Sequence, residues 1–139
     1  FENIRFEARI LELSIILESI FSSDEKNVIA FRFAMTGAKI ATKYLNKDAT
    51  ESYNILKCIY GIRSEIAHTG EISKSMYKKF YRLGNKIDAN ATLIGVNQDL
   101  MRGYLLTNLQ EVVSKYLYLY ITKPDIFTSE SINRLLLLS

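Results

Sequence analysis

Apolar residues recur along this chain at steps of three and four, and no run alternates convincingly in the manner of a strand. From Glu2 to about Phe21 there are two such stripes. One is Ile4, Ala8, Leu11 and Ile15; the other is Phe6, Ile10, Leu13, Leu17 and Ile20. Two stripes on one helix predict contact with more than one neighbour, hence a central helix. Ser22 and Glu25 stand at capping-box spacing and predict the next start. A second helix from Asn27 to about Leu45 carries a small-residue face of Ala30, Ala34, Gly37, Ala38 and Ala41, on which a neighbour can lie closely. Asp48 and Glu51 repeat the capping spacing and open a third helix, from about Thr50 to His68.

That third helix has the cleanest pattern. Ile55, Ile59, Ile62 and Ile66 fall within about 60° of one another at roughly 100° per residue. Tyr60, Arg63, Ser64, Ala67 and His68 centre about 140° away on the same arithmetic. Gly70 is placed to end the helix. A fourth helix is expected from Glu71 to about Ile87, with Met76, Phe80, Leu83 and Ile87 inward and Lys74, Lys78, Arg82 and Lys86 on another side. Residues 88–96 read as a loop. A long fifth helix follows from Asn97 to about Ile121, its tyrosines expected in the core; Lys123-Pro124 breaks it. Thr128 then caps a last helix through about Leu138, whose leucine run must be covered by the bundle or by a segment beyond it. The expected fold is an all-α, antiparallel bundle of five to six helices forming a single domain over 1–139.

Composition narrows the setting. The 139 residues are 48% hydrophobic and 24% charged, which excludes a disordered chain, and are long enough to enclose a core without disulfides or metals. The lone Cys58 cannot form an internal disulfide, so a reducing, cytoplasmic setting is expected. No stretch has the length and apolarity of a membrane span, so no membrane partner is expected. The first residue is Phe, which points to one domain of a longer polypeptide. A net charge of +3 is too weak to name a partner, although the basic residues of the fourth helix, interleaved with Tyr77 and Tyr81, suit phosphates and unpaired bases.

The candidate chemistry lies at the end of the third helix. His68 is the only histidine, and it occupies the last turn, where the negative end of the helix dipole favours imidazolium. Ser64 is four residues earlier on the same stripe, and Arg63 adjoins it. A protonatable imidazole beside a guanidinium fork handles phosphates. In RNA cleavage His68 would serve as base or acid, Arg63 would hold and stabilise the phosphate, Ser64 would orient one of them, and Tyr60 would contact substrate. Lys74, Lys78 and Arg82 extend the expected RNA surface. One imidazole for two proton transfers is thin, so a two-fold dimer sharing both copies of Arg63 and His68 belongs to the expectation. No second histidine exists to build a metal site, and no cofactor is implied.

The run Arg63-Ser64-Glu65-Ile66-Ala67-His68 resembles the signature of the HEPN superfamily, and more closely its ApeA-like branch. The likeness is carried by the leading helix from Arg9 to Phe21, by Phe31-Arg32-Phe33-Ala34, and by residues 59–70, and extends more loosely to the later helices. It implies a helical bundle, dimerisation through the motif helices and metal-independent endoribonuclease activity in phage defence or toxin–antitoxin pairs, with a cognate antitoxin or further domains of a longer chain as partners. Arg63 and His68 then form the catalytic pair and Ser64 takes the polar second place, often Asn in active members. The family also contains non-catalytic RNA-binding and dimerisation modules, which is the alternative reading.

Overall fold

The computed structural model describes residues 2–22 and 29–137, with side chains from Arg5 onward. Its elements are α1 (Glu2–Ser22), α2 (Ala30–Tyr44), α3 (Ala49–Thr69), α4 (Lys74–Asn85), α5 (Gln98–Thr122), a 3-10 turn (Pro124–Phe127) and α6 (Ser129–Leu137). No strand occurs among the described residues, and the fold is all-α. The expected cap at Ser22–Glu25 and the helix start near Asn27 lie outside the described residues. No helix among them is long and apolar enough to cross a membrane.

The third helix forms where its caps predict. Asp48 accepts a hydrogen bond from the Glu51 N–H at 2.9 Å, satisfying one of the unpaired amides of the first turn. Gly70 closes the other end in the left-handed region (φ 79°), where a Cβ would be strained, and its N–H bonds to the Ile66 carbonyl. Ile59, Ile62 and Ile66 are buried as the periodicity requires, joined by Leu56 and Cys58, while Ile55 is only half-buried.

The small-residue face of α2 lets its neighbours approach closely. A Cβ on Gly37 would come within 2.3 Å of Leu56 Cδ1 and 2.8 Å of Phe21 Cε2, so α1 and α3 press on α2 where it has no side chain. Tyr116 of α5 reaches the same spot, and its hydroxyl donates to the Gly37 carbonyl at 2.7 Å. Phe21 bridges the layers, edge-on to Tyr116 at 4.8 Å and tilted against Phe33 at 5.2 Å. The connections α2–α3 and α3–α4 make antiparallel neighbours. By contrast α1 and α5 run parallel: Phe6 lies beneath Arg102 near the start of both helices, and Phe21 meets Tyr116 farther along.

The helix α1 packs against α2, α3 and α5, as its two stripes predict: Ile10, Leu17 and Ile20 are buried and Leu11 lies against the core, while Ala8 and Ile15 are exposed. Two packing expectations are corrected. Tyr118 and Tyr120 of α5 are exposed, because the helix runs past the core before Pro124 stops it; only Tyr116 is buried there. The helix α4 is shorter than its pattern, starting at Lys74 because Ser73 caps it and ending before Lys86, which adopts the left-handed conformation (φ 56°). In α6, Ile132 is buried and Leu137 is 83% exposed, so this end of the leucine run is uncovered.

Candidate functional site

The last turn of α3 carries His68 at the surface, with Ala67 and Thr69 also exposed and Ser64 half-buried one turn earlier. Ser64 and His68 share a stripe, as four-residue spacing requires. Arg63 sits about 140° around the helix from His68 by the helical repeat, at the edge of the buried face. Its Nε lies 2.9 Å from Glu18 Oε2 of α1, with the two side chains 30% and 25% exposed. The approach is a charge contact rather than an aligned hydrogen bond, since neither atom is satisfied by hydrogen-bond geometry. Arg63 is therefore drawn to α1, and a phosphate reaching it competes with Glu18.

Glu65, between the two motif residues, has a role that the spacing gave no reason to assign. Its carboxylate accepts from both the backbone N–H and the hydroxyl of Ser73, and so clasps the first turn of α4 to the last turns of α3. Thr69 completes the corner, its hydroxyl donating to the Glu65 carbonyl at 2.8 Å and accepting from the Glu71 N–H at 3.2 Å. Met76 of α4 packs where Gly61 lacks a side chain, 2.9 Å from the position a Cβ would take.

The structure separates the other candidates. Tyr60 is half-buried, its ring tilted against Phe33 of α2 at 5.4 Å, so it packs between helices rather than standing on an open face. Arg82 is half-buried and donates to the Ala91 carbonyl at 2.9 Å, which fastens the following loop to α4. Tyr77, expected beside the basic residues, is 3% exposed, and Tyr81 is half-buried with its ring edge-on to Tyr104 at 5.1 Å. Lys74, Lys78 and Lys79 remain on the exposed face of α4, while Lys86 pairs with Glu51 at 3.2 Å. Three lysines, not a mixed lysine–tyrosine row, make the basic surface.

A second group of polar residues lies just beyond the motif. Glu7 of α1, Gly70, Glu71, Ile72, Tyr77 of α4, and Gln98 and Arg102 of α5 line an open cleft of about 330 Å³. The Arg102 guanidinium lies 4.4 Å above the Phe6 ring and hydrogen-bonds Tyr77. Burial pushes the Glu7 carboxyl above its ordinary value and Glu71 adds to the rise, while Arg102, the Ile72 N–H and the Tyr77 hydroxyl oppose it. Burial, then the Glu7 charge, push the Tyr77 hydroxyl up to about 12. Glu7 Oε2 is enclosed and has no hydrogen-bond partner. The periodicity had no access to this group, since Glu7 and Arg102 meet only through the parallel pairing of α1 and α5.

Compared with known proteins, the chain matches no family model, no curated protein and no solved structure.

Proposed function

We propose that this domain is a metal-independent endoribonuclease of HEPN type, acting as a homodimer on single-stranded RNA in a phage-defence or toxin–antitoxin setting. The observation that carries the reading is the exposure of His68 in the last turn of α3, on the outer side of a helix whose other side is core. A buried histidine bonded within the core would have ended it. Arg63 and Ser64 share that helix, and α4, whose exposed residues include Lys74, Lys78 and Lys79, packs against it. In this mechanism His68 accepts the 2′-hydroxyl proton or protonates the leaving 5′-oxygen, and Arg63, released from Glu18 by the incoming phosphate, stabilises the charge developing on phosphorus-bound oxygens. Because Arg63 and His68 diverge around one helix, the second copy in a two-fold dimer supplies the complementary pair.

The test is cleavage of unstructured RNA in EDTA by the wild type, His68→Ala and Arg63→Ala. Cleavage that survives chelation, leaves 2′,3′-cyclic phosphate ends and falls at least about a hundredfold in each variant supports the reading. His68 is exposed, so His68→Ala should melt near the wild-type temperature, whereas Arg63→Ala also removes the contact with Glu18 and its melting curve is recorded beside the cleavage assay. A specific observation favours a second reading, a non-catalytic RNA-binding or dimerisation module: Arg63 is already held by Glu18. RNA binding with no cleavage at any dimer concentration selects that module.

A further inference from the structure

The cleft beside the motif has a chemistry distinct from the lysine face. It holds two carboxylates, Glu7 and Glu71, against one guanidinium, Arg102, with the Gln98 amide at its rim. That balance repels a phosphate, and the guanidinium disfavours a simple cation. It suits a neutral group presenting hydrogen-bond donors along one edge and acceptors along another. Guanine is such a group: its O6 and N7 accept from an arginine, and its N1–H and N2–H₂ donate to a carboxylate. The volume is near the lower end for a ligand site and admits a purine. Arg102 is braced for this task from behind, by the Phe6 face and the Tyr77 hydroxyl.

Position links the cleft to the motif. Gly70 is part of its wall and follows His68 by two residues, at most about 7 Å of chain. We propose that the cleft walled by Glu7, Glu71, Gln98 and Arg102 is a base-reading subsite that takes a guanine adjoining the phosphate handled by His68. The assignment of RNA as its ligand rests on the ribonuclease reading, and the subsite sets where along the strand the domain sits.

The test uses 2′-O-methylated pentanucleotides, which cannot be cleaved through the 2′-oxygen, labelled for fluorescence anisotropy. One is all-adenosine; the other has a single central guanosine. The expected result is binding about tenfold tighter for the guanosine oligonucleotide. Glu71→Gln, at an exposed side chain, and Arg102→Gln should each erase that preference, so that each variant binds the two oligonucleotides equally. Equal binding of the two oligonucleotides by the wild type overturns the proposal, as does a preference that persists in both variants. Binding without cleavage separates the two readings: a guanosine preference in a domain that never cuts RNA keeps the subsite and removes the nuclease. Cleavage by wild type without any preference does the reverse.

Discussion

At the scale of single residues, the interval between Arg63 and His68 contains a side chain whose work is architectural. Glu65 supplies both oxygens to the start of α4, so replacing it leaves an amide and a hydroxyl of Ser73 without their acceptor. Glu65→Ala is expected to cost about 1–2 kcal/mol, read from chemical denaturation, and to loosen α4 in hydrogen exchange. A variant as stable as wild type would show the clasp to be idle. Glu7 gives the opposite sign. Its folded-state pKa is raised, chiefly by burial, so ionisation costs the folded state. The stability it contributes is complete below the ordinary glutamate value and is lost as pH rises through the raised folded value. Glu7→Gln should therefore melt higher than wild type at pH 7, with the gap closing as pH falls towards the unfolded value. A lower melting temperature at pH 7 would contradict this. The residue scale is also where the sequence was most and least informative. The Asp48 cap, the Gly70 stop and the outward His68 were legible because each is fixed by local backbone geometry. Glu18, Glu7 and Arg102 were not, because their partners are set by tertiary pairing across the chain.

At the scale of elements, periodicity located every helix but not what each face meets. Tyr60 and Arg82 lie outside the expected apolar stripes, yet α2 and the 88–96 loop come to meet them. In α1, Ala8 and Ile15 fall on an apolar stripe and stay outside, because hydrophobic spacing states what a face prefers without supplying the neighbour. The α2 small-residue face was read as a close-packing surface, and the contacts at Gly37 bear this out from two sides. Gly37→Ala should destabilise by about 1–3 kcal/mol, since Leu56 and Phe21 must both shift to admit a methyl group. Its melting curve compared with that of Gly103→Ala, where a Cβ meets nothing within 4 Å, isolates the packing effect from helix propensity. Equal or higher stability of Gly37→Ala would mean that the helices separate without penalty.

At the scale of the whole molecule, the proposed chemistry needs two chains. Light scattering on the purified domain should give about twice the 16.0 kDa chain mass at micromolar concentration. A mass of one chain under conditions that support cleavage would remove the shared cleft from the mechanism. The corner that joins α3 to α4 has a consequence for such a site. Gly70, Thr69 and the Glu65 carboxylate tie off the end of the motif helix, so the backbone beneath His68 cannot fray while α4 stays in place. The entropy of holding that turn in register is spent during folding, before any nucleic acid arrives. A change that loosens the first turn of α4 should therefore loosen the last turn of α3 as well, and with it the backbone that carries the imidazole.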